Sequence, residues 1–549
     1  MRFLSYDSVL ARGEIAARAS LLYARLEGTM YRPDTIFTVE TAGWPGDWEG
    51  RTILALTMLA QSTGKEPAYL DEIVERLGDY CNEKGYMRQI LSDGDVDEQQ
   101  LSGHSWLLRG LCAYFLFRRN DPERSETVLG RIREIVQNLF LNAAGRYAEY
   151  PILPEERVED GKESGHIGRK IGHWYTSSDT GCAYIPLDGL SHAYVLLKEY
   201  AADRELTEKL KALLDEMVMH FYTIPFLDIK VQTHATLTAC RGLLRLYEYD
   251  RDPKKLAFVQ KIFKLYVDEG MTANYANYNW FGRPEWTEPC AIIDSFMLAA
   301  QLYLHTHKPL YAELTHKILY NGVLASQRPN GGFGTDTCTG ADGTAAAEYL
   351  ACSCYEAYWC CSMRGGEGLA SVSRYSLLEW SAEESRRTNG YPNTVEVLYP
   401  MDGIYTVHGV KLMVRADYPV DGKVTFRILE NPGNKPLTLY FPKMQYGNKQ
   451  EPCFVSFCSG EVVRDVDVEL HLETAAGKNN GSGKILYAGY QILGHIADDK
   501  STDLPDMNDL QQYGKVWKTS DGTVFAPISA RYLDTPEAIQ QNKIQILWK

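Results

Sequence analysis

Residues 232–268 read QTHATLTACRGLLRLYEYDRDPKKLAFVQKIFKLYVD. An apolar segment leads into the polar turn Arg251-Asp252-Pro253, and a charged amphipathic segment follows. In that second segment the apolar side chains recur at helical spacing, at Leu256, Val259, Ile262, Phe263 and Tyr266. Proline fits the first turn of a helix, and an aspartate before it can cap that turn. The stretch therefore predicts a helical hairpin with an apolar first helix and an amphipathic second helix.

The same pattern recurs along the first two thirds of the chain. It pairs residues 51–63 with 67–82, 101–118 with 121–140, 187–202 with 205–222, and 290–306 with 309–325. Helical segments at 8–27 and 364–378 complete a set of about six hairpins. Repeated hairpins of this kind predict a closed (α/α)6 barrel. The long, less apolar loops 141–182 and 270–287 are expected at the mouth of this barrel.

The sequence changes character after Trp380. Short runs rich in Val, Ile, Tyr and Thr replace the helical segments, at 394–399, 410–416, 423–429, 437–441, 462–472 and 484–492. Turn residues such as Asp-Gly and Pro-Gly separate these runs, which is typical of a β-sandwich. We therefore predict a catalytic (α/α)6-barrel domain over residues 1–378 and a β-sandwich region over residues 379–549.

Composition limits the functional classes. The chain has 549 residues, of which 45% are hydrophobic and 23% charged, as in an ordinary globular protein. Its formal net charge of −15 argues against a nucleic-acid or anionic-membrane partner. The N-terminal residues lack the apolar stretch of a secretory signal, so a cytoplasmic location is expected. In such a chain, 12 cysteines favour free thiols and metal ligation over disulfides.

The cysteines are concentrated in one region. Five of them fall within 24 residues, at Cys338, Cys352, Cys354, Cys360 and Cys361, and a carboxylate and a thiol stand close together upstream in Glu288-Pro289-Cys290. Adjacent cysteines are poorly placed to form a disulfide with each other, but both can bind one metal ion. Three thiolates and a carboxylate would suit tetrahedral zinc. The spacing alone supports equally a zinc site, with Cys352 and Cys354 as further candidate ligands, and simple packing of buried thiols.

Several segments resemble glycoside hydrolase family 127, the β-L-arabinofuranosidases and their relatives. The resemblance rests on Trp286-Thr287-Glu288-Pro289-Cys290-Ala291, on Leu319-Tyr320-Asn321-Gly322-Val323-Leu324, and on the pair Cys360-Cys361 before a helix. Upstream, Gly103-His104 and Thr233-His234-Ala235 are similar to two further segments of the family. The segments occur in the family's order and extend, in patches, over nearly the whole chain.

The resemblance implies a zinc ion held by Glu288, Cys290, Cys360 and Cys361, with Cys360 also acting as the nucleophile. A thiolate at the anomeric carbon would give retained configuration, with sulfur replacing the usual carboxylate. It also implies that His104 and His234 contact sugar hydroxyls, although a lone histidine at the start of an apolar helix is more often a core residue. The polar-aromatic run 274–281 offers Tyr278 and Trp280 as stacking platforms, or forms a packed loop.

The sequence departs from the family at the acid/base position. The family's glutamate upstream of Glu-x-Cys falls on Thr272 here, which leaves Glu269 or Glu285 as candidates. We predict a zinc-dependent retaining exo-glycosidase that acts on β-L-arabinofuranosides or a related plant-glycan sugar. The alternatives are another barrel enzyme, namely a sugar epimerase or an unsaturated-uronide hydrolase, and a non-catalytic sugar-binding protein with structural zinc.

Overall fold

The computed structural model describes most of the chain. The described residues are 1–38, 43–92, 94–157, 164–201, 203–341, 348–388, 390–442, 453–457, 460–468, 470–477, 483–497 and 503–548. None of the helices in these ranges combines the length and the hydropathy needed to cross a lipid bilayer.

Most α-helices of the described residues lie in the N-terminal part of the chain. They are α1 Gly13–Leu26, α2 Pro33–Ile36, α3 Asp47–Thr63, α4 Leu70–Arg76, α5 Glu98–Arg118, α6 Pro122–Asn138, α7 Pro186–Tyr200, α8 Arg204–Phe221, α9 Thr233–Asp250, α10 Pro253–Glu269, α11 Pro289–Thr306, α12 Pro309–Ile318, α13 Cys361–Tyr375, α14 Ala382–Thr388 and α15 Pro536–Gln541.

Six of these helices form a closed inner ring. Each packs against the next in the order α3, α5, α7, α9, α11 and α13, and α13 returns to contact α3. The outer helices α4, α6, α8, α10 and α12 pack against the inner helix that precedes them, and α1 packs on α13 and α3. The predicted (α/α)6 barrel is confirmed. The sixth helix pair consists of α1 and α13, which come from opposite ends of the barrel sequence, and this pairing closes the ring.

Aspartates before prolines start two of the outer helices, α6 and α10, as the sequence predicted. Asp121 accepts a hydrogen bond from the Arg124 backbone N–H at 3.3 Å, and Asp252 accepts one from the Lys254 N–H at 3.0 Å. In both cases proline occupies the first turn of the helix, where its missing N–H costs nothing. Local capping therefore fixes where these two outer helices begin.

The strands of the described residues lie mainly after the barrel. They are β1 Arg2–Phe3, β2 Val9–Ala11, β3 Val96–Asp97, β4 Ile167–Ile171, β5 Trp174–Ser177, β6 Thr335–Asp336, β7 Tyr349–Leu350, β8 Cys352–Cys354, β9 Leu377–Glu379, β10 Thr394–Val397, β11 Gly403–Val407, β12 Val410–Ala416, β13 Lys423–Glu430, β14 Thr438–Phe441, β15 Cys453–Ser456, β16 Val463–Asp467, β17 Leu472–Ala476, β18 Lys484–Ala488, β19 Gln491–Ile496, β20 Gln511–Tyr513, β21 Val516–Lys518, β22 Val524–Pro527 and β23 Ile544–Gln545.

Two sheets form the predicted sandwich. One has the order β1-β9-β10-β14-β15, the other has the order β16-β13-β12-β11-β2, and their apolar side chains share one core. The N-terminal strands β1 and β2 thus belong to the sandwich sheets, and the proposed domain boundary at 378/379 falls inside β9. The run 462–472, predicted as one strand, contains β16 and ends at the first residue of β17, which belongs to a different sheet.

A further sheet follows the sandwich and reaches back to the barrel. Its order is β17-β18-β19-β22-β21-β20, and β23 pairs with both β19 and β7. Strand β7 lies in the connection between α12 and α13, so the C-terminal end of the chain lies against a loop at the barrel mouth.

Candidate active site

Two adjoining cavities open at the mouth of the barrel. The larger has a volume of about 460 Å³ and the smaller about 290 Å³, and Ser164, Glu288, Trp359 and Cys360 line both. The larger cavity is also lined by His166, Asp179, Gln232 and His234, and the smaller by Asn279, Glu285, Trp286 and Cys361. Loops 141–182 and 270–287 therefore reach the mouth, as predicted.

The thiols converge because two neighbouring inner helices begin at this mouth. Glu288 is the N-cap residue of α11, and Cys290 lies in its first turn. Cys360 is the N-cap residue of α13, and Cys361 is its first helical residue. Helices α11 and α13 pack side by side, so residues far apart in the sequence meet at their N-terminal ends.

The sulfur atoms lie within reach of a single ion. Cys360 Sγ is 3.3 Å from Cys361 Sγ, which is 3.6 Å from Cys290 Sγ. One ligand atom from each of these residues lies within 4.8 Å of the others, and the same holds for His234, Glu288 and Cys290. Cys290 thus belongs to both groups.

The charge of Arg51 favours the thiolate form of Cys290. The Arg51 guanidinium donates to Cys290 Sγ at 3.5 Å and makes two bonds to Asp47, at 2.9 and 2.8 Å. Burial opposes ionisation of Cys290, but hydrogen bonds from the other two thiols and the charge of Arg51 outweigh it. The pKa of Cys290 therefore lies well below its ordinary value. The hydrogen bond between Cys360 and the Cys290 thiolate raises the pKa of Cys360, because the proton of that bond stays on Cys360.

The Asp294 carboxylate orients the imidazole ring of His234. Its Nδ1 lies 3.1 Å from Asp294 Oδ2, and its ring stacks on Trp106 with the centroids 5.8 Å apart. Its Nε2 is buried, and no described residue makes a hydrogen bond to it. The charge of Asp294 fixes the proton on Nδ1, which leaves the Nε2 lone pair directed toward Glu288 and Cys290, as in histidines that ligate metals.

The residues present suit a zinc ion. Glu288 Oε2 is also buried without a hydrogen-bond partner among the described residues. It is costly to bury a carboxylate oxygen and an imidazole nitrogen without hydrogen-bond partners beside three clustered thiols. Each of these groups is a ligand that zinc prefers. Cys290, Cys360 and Cys361 would hold the ion, with Glu288 as the predicted fourth ligand and His234 beside it. Cys352 and Cys354 lie outside both groups of potential ligands in the described part of the chain.

The two candidate acid/base glutamates occupy different places. Glu285 lines the smaller cavity, with its side chain 49% exposed and 3.1 Å from the Arg283 guanidinium. Glu269 is the last residue of α10, is exposed, and does not line either cavity. The structure therefore brings Glu285 to the site and leaves Glu269 at the surface.

His104, Tyr278 and Trp280, which the resemblance or the aromatic run suggested as sugar contacts, are buried and line neither cavity. His104 Nε2 accepts from the Met87 N–H at 3.0 Å, and its Nδ1 lies 2.8 Å from the Gln100 carbonyl oxygen. Burial lowers the pKa of His104 to about 4, so its ring is neutral and fully hydrogen-bonded. His234 is the one of the two predicted histidines that faces the cavity.

Sequence reasoning missed several cavity residues. Tyr358 and Trp359 are 36% and 45% exposed and line the larger cavity directly before the Cys-Cys pair. Their position beside Cys360 in the sequence was a usable signal. Asp179, Asp47 and Arg51 also line this cavity, but no spacing in the sequence links them to the cysteines.

The C-terminal part of the chain supports the loop that carries Glu288. Asp336 accepts a hydrogen bond from Arg328 at 2.9 Å and one from Arg531 at 3.0 Å. The Asp336 backbone in turn bonds Thr287, through N–H to the Thr287 hydroxyl at 2.9 Å and through its carbonyl at 2.8 Å. Thr287, the residue before Glu288, is thus linked through Asp336 to Arg531 in the C-terminal part of the chain.

Comparison with known proteins agrees with this geometry. Residues 187–374 match the family model described as "Beta-L-arabinofuranosidase, GH127 catalytic domain". A solved GH127 β-arabinofuranosidase is similar with a TM-score of 0.63 and 12% identity, covering 100% of this chain and 97% of that one. A structure described as a glycoside hydrolase gives 0.65 and 12%, covering 100% of this chain and 97% of the other.

A third similar structure is Ara127N-Se, a GH127 β-L-arabinofuranosidase from Geobacillus stearothermophilus T6. Its TM-score is 0.60 at 14% identity, and the match covers 98% of this chain and 99% of that one. No curated protein matches the chain. Residues 187–374 thus match the model of a glycoside hydrolase catalytic domain, and the likeness to the solved structures shows an (α/α)6-barrel fold. In that region and in its fold the chain is similar to GH127 proteins.

Proposed function

We propose that this protein is a metal-dependent retaining exo-glycosidase that releases β-L-arabinofuranose or a related sugar, with Cys360 as the nucleophile. The observation that carries the proposal is the convergence of three thiols and Glu288 at the cavity of a barrel whose catalytic region matches the GH127 family model. The likeness to solved β-L-arabinofuranosidases supports the choice of sugar. We further propose zinc as the metal, because thiolate-rich sites favour it.

Cys360 lines both cavities, which supports its proposed role as the nucleophile toward a sugar bound there. Its sulfur would form a bond to the anomeric carbon while the glycosidic carbon–oxygen bond breaks and the leaving oxygen takes a proton. Water then attacks the same carbon, the carbon–sulfur bond breaks, and the thiolate is restored with overall retention of configuration. A bound zinc ion would supply the charge that keeps these thiols deprotonated at neutral pH. Trp359 and Tyr358 provide apolar ring faces at the cavity wall.

Removal of the metal tests the proposal directly. We expect release of p-nitrophenol from p-nitrophenyl β-L-arabinofuranoside to fall at least about 100-fold in a strong zinc chelator, because the thiols then lose the charge that ionises them. Added zinc should restore the rate, and elemental analysis should find one zinc per chain. Full activity in metal-free protein would contradict the proposal and favour an epimerase or an unsaturated-uronide hydrolase. Bound zinc without turnover on any glycoside would instead indicate a sugar-binding protein.

The exposed ring of Trp359 gives a second prediction. Substitution of Trp359 by alanine should raise KM about tenfold, because about 1.4 kcal/mol of apolar contact with the sugar is lost, while the zinc content stays unchanged. Steady-state kinetics on the same aryl glycoside measure this effect. The matched control is Tyr391→Ala, since Tyr391 is 45% exposed but lies far along the chain from the site and lines neither of the two cavities. Equal KM values for the two variants would show that Trp359 does not contact the sugar.

A further inference from the structure

The proposed reaction requires a group that protonates the leaving oxygen, and the family's glutamate is replaced by Thr272. The described carboxyl groups that line the two cavities are Asp47, Asp179, Glu285 and Glu288. Each of them has a different set of neighbours, so the structure distinguishes between them. The inference drawn from them rests on the proposed function.

Three of the four carboxyls are committed to other contacts. Both oxygens of Asp47 accept from the Arg51 Nε–H, at 2.9 and 2.8 Å, so a proton on Asp47 would weaken this ion pair, although burial raises the pKa of Asp47. Glu288 is two residues from Cys290 and within ligand distance of it. Glu285 is half exposed and faces the Arg283 guanidinium at 3.1 Å. A general acid must have its proton available for the leaving oxygen, whereas each of these carboxyls is held by a cation or belongs to a group of potential metal ligands.

Asp179 differs from them, because it is 2% exposed and has no ion pair among the described residues. Neutral donors hold it at the cavity wall. Gln232 Nε2 donates to its Oδ1 at 3.0 Å, and the Gly165 N–H donates to its Oδ2 at 2.8 Å. Cys182 donates to the other end of the Gln232 amide, which keeps the Nε2 directed at Asp179.

The Ser164 hydroxyl allows Asp179 to exist in both protonation states. It lies 3.0 Å from Oδ1 and 2.9 Å from Oδ2, and a hydroxyl can donate to a carboxylate or accept from a carboxylic acid. The protonated and ionised forms are thus both hydrogen-bonded without any movement of the backbone. Burial raises the pKa of Asp179 to about 6, against the opposing effect of the Gly165 N–H and the Ser164 hydroxyl. A value in this range suits an acid that works near neutral pH.

We propose that Asp179 is the general acid/base of this enzyme. It would give its proton to the leaving oxygen as the Cys360 sulfur attacks the anomeric carbon. The resulting carboxylate would then take a proton from the water that breaks the carbon–sulfur bond, which returns Asp179 to its starting state. Both steps occur in the larger cavity, whose wall contains Asp179 and Cys360 together.

Leaving-group dependence and azide rescue test this role. In Asp179→Asn, we expect kcat/KM to fall at least about 1000-fold on an alkyl β-L-arabinofuranoside, which needs protonation, but less than about tenfold on a 2,4-dinitrophenyl glycoside, which does not. In Asp179→Ala, azide should raise kcat on the dinitrophenyl glycoside and yield a β-configured glycosyl azide, because the anion needs no base. The zinc content should equal that of the wild type.

The outcomes separate this proposal from the proposed function. A folded, zinc-loaded Asn variant with the same loss on both glycosides, or an Ala variant without azide rescue, would overturn the role of Asp179. Azide rescue in Glu285→Gln instead would move the role to Glu285. If the neutral variants do not fold, Asp179→Glu is the substitute, because it keeps a carboxyl group. Its rates should depend on the leaving group as those of the wild type do. A different dependence would also overturn the proposal. Wild-type protein that hydrolyses neither glycoside would refute the proposed function itself. Asp215→Asn, on the outer surface of α8, is the matched control and should behave as wild type.

Discussion

Substitution of Cys360 by serine is expected to lower kcat on the aryl arabinofuranoside by about 10⁴-fold or more, even in saturating zinc. A serine hydroxyl stays protonated where a thiol ionises, so no competent nucleophile remains. The fold should be retained, because Cys360 precedes α13 at the cavity wall and is only partly buried. The rate of p-nitrophenol release and the circular dichroism spectrum measure the two parts of this expectation.

Cys290→Ser is the matched comparison for the nucleophile. Cys290 belongs to the same thiol cluster, but it lines neither of the two cavities. Its loss should therefore weaken metal binding, and excess zinc should recover part of the activity. Cys360→Ser should not recover. Intact mass after rapid denaturation should show a sugar adduct on the peptide that contains Cys360 in the wild type. An adduct on any other peptide, or wild-type turnover by Cys360→Ser, would show that the nucleophile is a different residue.

The barrel could be predicted from sequence because its signals are local. Helical spacing marks the hairpins and Pro-containing turns mark most of them, and the aspartate caps confirm how α6 and α10 begin. The closure of the ring by α1 and α13 also follows from counting hairpins. The third sheet was predicted only in part: the run 484–492 covers β18 and the start of β19, but β20 to β23 were missed because they are short, at two to four residues each, and β23 pairs with a barrel loop. Such short strands depend on tertiary pairing rather than on their own pattern.

The residues of the site could be predicted where the sequence itself marks them, and not where only the fold brings them together. The cysteines were found because Cys290 and Cys360-Cys361 begin neighbouring helices and stand out in composition. Asp179 carries no such signal, since its role depends on Ser164, Gly165 and Gln232 from two other parts of the chain. The aromatic run was misleading for a physical reason: Trp280 is fully buried against Trp286, so its ring has no free face for a sugar.

Substitution of Asp294 by alanine is expected to lower the free energy of unfolding by about 3–5 kcal/mol, because it removes a carboxylate that two buried guanidinium groups share. Asp294 on α11 accepts from Arg241 at 2.8 Å and from Arg364 at 2.5 Å, and its other oxygen accepts from Thr238 at 2.7 Å. Burial opposes its charge, but the two arginines outweigh that effect and hold the pKa of Asp294 below its ordinary value. One carboxylate thus joins three neighbouring inner helices, α9, α11 and α13.

Urea denaturation followed by tryptophan fluorescence measures this loss, with chelator present so that bound metal contributes equally to every variant. The matched control is Asp215→Ala, whose carboxylate is 53% exposed and pairs with Lys211 one turn away on α8. An exposed pair of this kind contributes less than about 1 kcal/mol, so the control should stay close to wild type. A loss below about 1 kcal/mol for Asp294→Ala would mean that Glu367, which also contacts both arginines, neutralises them alone. The larger loss is expected because Glu367 also pairs with Arg109, and Asp188 is 4.0 Å from Arg241, so neither fully replaces Asp294 beside these buried guanidinium groups.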